Sequence, residues 1–165
     1  MLNITIKDST TTAPAGDIKV QMYNGSVNNV TNTINPRIKL INNGSSAITL
    51  SNVKLRYYYT VDGDKSQNLF CDWSQVGSSN VTGTFVKLPT AASGADYYAE
   101  IGFTSGAGSL VAGQSIDLQI RISKEDWSNY SQSDDYSFDS TATAYKDAPK
   151  VTGYVSGALQ WGTEP

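Results

Sequence analysis

From Asp17 onward the sequence is a series of short β-prone runs, each closed by a cluster of turn residues, and no window sustains a helical apolar period. "IKVQMY" precedes "NGSVNN", "RIKLI" precedes "NNGSS", "VKLRYYYT" precedes "VDGD", and "VTGTFVKL" precedes "PTAASG". "YYAEIGF", "SIDLQIRIS", "VTGYV" and "ALQW" complete the set. About nine strands at this spacing predict an all-β fold, an antiparallel β-sandwich of the jelly-roll kind. At 165 residues the chain is the size of one domain and long enough to bury a core. Ahead of the first run, "DSTTTAPAG" (Asp8 to Gly16) has the composition of a linker, so residues 1–16 are expected to be linker and 17–165 the domain.

Period-two alternation sorts the side chains of these runs by face. Leu118, Ile120 and Ile122 should point inward, leaving Gln119, Arg121 and Ser123 outward. Arg56 and Tyr58 share one face of their strand, and Tyr98 with Glu100 share one face of theirs. If the two strands are neighbours, Arg56, Tyr58, Tyr98 and Glu100 form one polar-aromatic patch. Ordinary cross-strand pairing would account for the same pattern.

The chain has no histidine, and Cys71 is its only cysteine. Triads and most acid–base arrangements therefore lack parts, and no disulfide staples the fold. Cys71 reads as a small buried hydrophobe. The glutamates are Glu100, Glu125 and Glu164, and most aspartates sit in turns or beside basic residues, where solvation is the default. A net charge of -3 gives no nucleic-acid footprint, and no run reaches membrane-spanning length. The polar surface is rich in Ser, Thr, Asn and Tyr, which suits a neutral polyol such as a sugar.

Two oxygen-rich turns, "TVDGD" (Thr60 to Asp64) and "SQSDD" (Ser131 to Asp135), have the donor types calcium takes. An EF-hand is excluded, because Gln67 stands where glycine is needed and Trp73 where the terminal glutamate belongs. The turns alone leave two readings open, a shared metal site or solvated loops. Trp73 and Trp127 lie in polar settings, "FCDWSQVG" and "KEDWSNY". An exposed indole can stack on the apolar face of a pyranose ring, although a lone tryptophan is also often half-buried packing.

Together, "INPRIKLINNGSSAITLSNVKLRYYYTVDGDKSQNLFCDW", "DWSNYSQSDDYSF" and "LQWGTEP" resemble the family 3 carbohydrate-binding modules, the cellulose-binding modules of bacterial cellulases and scaffoldins. The likeness runs from Asp17 to Pro165 and is nearest to the scaffoldin-type or b subgroup. It implies a nine-stranded jelly roll with a structural calcium and a flat face for crystalline cellulose. Thr60, Asp62, Ser131, Asp134 and Asp135 match the family's calcium motif. Asp72, Trp73, Arg121 and Trp127 match its strip of planar groups, with Trp73 where relatives often carry histidine. Ser26, Asn32, Gln119 and Tyr136 match polar positions that reach neighbouring glucan chains. Pro36, Arg56, Tyr58, Tyr98 and Glu100 match a shallow groove on the opposite face.

Two positions depart from the family pattern. Ala142 replaces a polar residue, and the loop "SQVGSSNVTG" lacks the aromatic that some relatives carry there. The resemblance implies a non-catalytic, monomeric, extracellular module that targets a multi-domain scaffoldin or cellulase to crystalline cellulose, with no nucleic-acid or membrane partner. The alternatives are a helper module that feeds single glucan chains to a cellulase and a protein-interaction module acting through the groove.

Overall fold

A computed structural model describes residues 17–165, so the expected linker, residues 1–16, lies outside the described residues. The strands in chain order are β1 (Ile18–Asn24), β2 (Val30–Thr31), β3 (Pro36–Asn42), β4 (Ile48–Thr49), β5 (Val53–Tyr59), β6 (Gln67–Trp73) and β7 (Val81–Ala92). There follow β8 (Ala95–Phe103), β9 (Ser109–Leu110), β10 (Ser115–Lys124), β11 (Tyr130–Ser131), β12 (Lys146–Asp147), β13 (Val151–Val155) and β14 (Ala158–Trp161). The only helical elements among the described residues are three 3-10 turns of three residues each.

Two five-stranded antiparallel sheets face each other. The first runs β12-β1-β3-β10-β6 and the second β14-β13-β5-β8-β7. Nine of these strands have four or more residues, four in the first sheet and five in the second, as the turn spacing predicts. The two-residue pairs β2–β11 and β4–β9 stand apart from the two sheets.

Alternation makes the core. Ile18, Val20, Met22, Ile38, Leu40, Leu118, Ile120 and Ile122 turn inward from the first sheet. They meet Val53, Leu55, Tyr57, Tyr59, Ala99, Ile101 and Val151 from the second. A one-residue slip would turn each such row out to solvent, so burial of one face fixes register. What remains on the two outer faces is mostly polar and aromatic, and the planar-strip and groove candidates sit there, while the metal candidates lie in the loop segments outside the two sheets.

Gly94 shows how tightly a hairpin abuts the loops. Its φ is +77°, and a Cβ there would lie 2.6 Å from the carbonyl oxygen of Asp134. Only glycine meets both conditions without strain.

Candidate functional site: a planar face and a two-loop cluster

The outer face of β6 and β10 gathers the planar groups. Regular alternation from inward Cys71 would turn Asp72 out and Trp73 in. A bulge prevents this, because Cys71 lies opposite Ile120 and Trp73 opposite Gln119, leaving Asp72 as the extra residue. Both Asp72 and Trp73 are thereby exposed, Trp73 at 47%. Arg121 Nε donates to Asp72 Oδ2 at 2.7 Å, and this contact raises the guanidinium pKa above its ordinary value. The guanidinium also lies over the Phe70 ring, 4.7 Å from its centroid. Arg121 is therefore held flat from beneath and from the side. Cys71 stays half-buried; burial raises its thiol pKa, as suits a packing residue.

Trp127 stands beyond the end of β10, 49% exposed and with φ at +59°. A bulky residue adopts that conformation only when its surroundings impose it. Here its N–H donates to Lys124 O at 3.0 Å, and the exposed Lys65–Asp126 ion pair ties the turn to the β5–β6 loop.

The two oxygen-rich turns meet. Thr60 N–H and Oγ1–H reach Asp135 Oδ1 at 2.9 and 2.8 Å, and Thr60 Oγ1 lies 3.3 Å from Asp62 Oδ1. Ser131 N–H donates to Asp62 Oδ2 at 2.8 Å. Asp135 is only 4% exposed, and its Oδ2 is buried without a hydrogen-bond partner. Burial pushes this carboxyl up to about 8, Asp62 and Asp134 add to the rise, and the two Thr60 bonds oppose it. A buried oxygen lacking a donor, beside a second carboxylate and a hydroxyl, is a donor set that fits a hard cation. The Asp134 side chain is exposed, and no three acidic, Cys or His side chains gather as a metal cluster among the described residues.

On the outer face of the second sheet, the expected patch forms across β5 and β8. Arg56 Nε donates to Glu100 Oε2 at 2.9 Å, and the guanidinium lies between the rings of Tyr98 and Tyr154, 4.5 and 4.4 Å from their centroids. Tyr58 is on this face but covered, its hydroxyl 2.9 Å from Thr152 Oγ1. The chain's own Glu164 enters the groove, 3.7 Å from Arg56 and accepting from Tyr154 at 2.8 Å.

Two expected placements are corrected. Tyr136 does not join the cellulose-facing polar residues: it packs edge-on against Tyr58 at 5.8 Å, and its hydroxyl donates to Thr163 O at 2.7 Å. It therefore sits on the groove side. Pro36 does not line the groove; it is buried at the start of β3 in the other sheet, where its missing N–H is placed opposite Asn24. Ser26 and Asn32 lie in the connection between β1 and β3, at the end of the first sheet where Trp127 stands. Ala142 is buried, with its carbonyl accepting from Asn24 N–H at 2.9 Å.

The sequence profile of the cellulose-binding domain family matches residues 19–162. The chain belongs to that family. This cellulose-binding domain is 56% identical over 165 residues to part of a xyloglucanase from a Paenibacillus species, covering 99% of the chain and 16% of that protein. It is 48% identical over 160 residues to cellulosomal-scaffolding protein A of Acetivibrio thermocellus, covering 92% of the chain and 8% of that protein. Among solved structures, the b-type family 3 module of the major scaffoldin subunit of Acetivibrio cellulolyticus superposes with a TM-score of 0.88 at 54% identity, covering 90% of this chain and 97% of that one. The chain thus spans a small fraction of these curated relatives' length.

Two residues of the domain's site escaped the sequence reading. Alternation already groups Phe70 with Asp72, so its place under Arg121 was open to inference. Lys124 was not, because a lysine reads as solvated. It is only 1% exposed, and its Nζ donates to Asp62 O at 2.8 Å and Asn129 O at 3.2 Å, over the Tyr130 ring. One ammonium therefore joins the Asp62 turn to the loop that follows Trp127.

Proposed function

We propose that this cellulose-binding domain adsorbs to the surface of crystalline cellulose through Trp73, the Asp72–Arg121 pair and Trp127, and performs no chemistry of its own. The single observation that carries this is the bulged β6–β10 face, which presents the half-exposed Trp73 beside a carboxylate-locked guanidinium, with the half-exposed Trp127 just beyond the end of β10. Covering one face of an aromatic ring removes roughly 100 Å² from water, about 2–3 kcal/mol. Three such plates give a gross gain near 8 kcal/mol, before association costs reduce it. Plates fixed by packing lose little entropy on contact. Gln119, opposite Trp73, and Ser26 and Asn32 at the strip's far end supply hydrogen bonds that set register on the sugar hydroxyls.

Thr60, Asp62, Ser131 and Asp135 would hold a calcium ion, with Asp134 adding negative charge beside them. The ion supplies positive charge to the buried Asp135 carboxylate and clamps the two loops. The relatives' length supports a domain within a larger extracellular cellulase or scaffoldin, with residues 17–165 as the folded unit.

The test is adsorption of purified protein to microcrystalline cellulose, with assays for released reducing sugar in parallel. Depletion from solution without sugar release is expected. Sustained sugar release, abolished by a single carboxylate substitution, would overturn the binding reading.

A further inference from the structure

The outer face of the first sheet continues past the strip onto β3 and β1. Register places Tyr23 opposite Arg37, Arg37 opposite Gln119, and Gln119 opposite Trp73. These four residues form one row across the sheet, roughly 14 Å from end to end at ordinary strand spacing. One step along the strands, Lys39 lies opposite Asp117. Tyr145 folds over this step: its hydroxyl donates to Asp117 Oδ1 at 2.9 Å, and its ring meets Tyr23 edge-to-face at 4.8 Å.

Arg37 is the exception on this face. Lys19, Lys39 and Arg121 each have a carboxylate, in Asp147, Asp117 and Asp72. Among the described residues Arg37 forms no ion pair and no side-chain hydrogen bond. Its five N–H donors are therefore unspent, on a half-buried side chain in the same row as Gln119 and Trp73.

We propose that Arg37, with the Tyr23–Tyr145 pair beside it, forms a second contact line on the flat face that takes the glucan chain lying next to the one on the strip. The proposal rests on the strip reading and extends it. The line runs from Tyr145 through Arg37 toward Ser26 and Asn32, alongside Trp73, Arg121 and Trp127. Its donors face a chain rich in hydroxyl acceptors, and its neutral phenols tolerate a polyol. A single glucan chain fills only the strip. Two chains in register fill both lines, so the second line selects ordered surfaces over dispersed chains. It also offers planar groups in a module whose loop after Trp73 carries no aromatic.

Arg37→Ala tests this against Trp127→Ala as control, each measured by adsorption isotherm on crystalline and on acid-swollen cellulose. Arg37→Ala should keep the melting temperature, because no partner is lost. On crystalline cellulose its affinity should fall about 10- to 100-fold, the worth of one charge-assisted hydrogen bond. On swollen cellulose, where chains are out of register, it should bind like the parent, while Trp127→Ala weakens on both. Unchanged adsorption of Arg37→Ala on crystalline cellulose, or equal loss on both substrates, overturns the second line and leaves the strip intact. Normal adsorption by folded Trp127→Ala overturns the strip reading itself, and the second line with it.

Discussion

Trp127 carries a left-handed backbone on a bulky residue and exposes half of its ring, a combination that costs stability and contributes little to the core. Its value must then lie in contact with something outside. Trp127→Ala or Trp73→Ala should therefore weaken adsorption to crystalline cellulose by about 30- to 100-fold, the equivalent of one ring face, while circular dichroism and melting temperature stay near the parent. Normal adsorption by a folded variant would remove that residue from the strip. Arg121→Ala should do milder damage, since Phe70 remains as an apolar surface beneath it. The indoles were legible in the sequence because polar neighbours are unusual for a core tryptophan. The face that Trp73 occupies was not, because alternation alone turns it inward and only the bulge at Asp72 brings it out.

At the scale of elements, the strands were legible and the loops were not. Period-two alternation depends on burial of one face, so most inward and outward rows could be read directly; Ser123, expected outward with Gln119 and Arg121, is instead fully buried near the end of β10. Loop residues answer to single contacts between distant segments. Tyr136 and Pro36 were misplaced for that reason: their positions follow from Tyr58, Thr163 and the β1–β3 register. Lys124 is the contact that joins loops most directly. Lys124→Met keeps the apolar stem but leaves the Asp62 and Asn129 carbonyls without their donor, which should cost about 2–4 kcal/mol by chemical denaturation. Adsorption should fall as well, because the loop beginning at Trp127 loses its far anchor. Gly94→Ala should cost about 1–3 kcal/mol, since alanine at φ +77° is strained and its Cβ would strike the Asp134 carbonyl. Parental stability in either variant would show that these loops are held by other contacts.

Across the whole molecule, the two sheets present different faces, and the two-loop cluster lies between them. Asp62 leads from β5 of the second sheet toward β6 of the first, and Asp135 lies eight residues after Trp127 by way of Tyr130 and Ser131. A cation bound there stabilises both faces by mass action, because the unfolded chain offers no such cluster. At a hundredfold excess over its dissociation constant the gain is about 2.7 kcal/mol. For a domain of this size that corresponds to roughly 5–10 °C in melting temperature. Strong chelation should lower the melting temperature by that amount, and added calcium should restore it. Asp135→Asn replaces the buried carboxylate with a neutral amide, so it should melt at one temperature with or without chelator. Chelation should also weaken cellulose adsorption of the parent, through the loop carrying Trp127, and leave adsorption of Asp135→Asn unaffected. A parent protein that melts at the same temperature with and without chelator would show instead that the cluster is held by its hydrogen bonds alone, with Thr60 and Ser131 sufficient to close the loops.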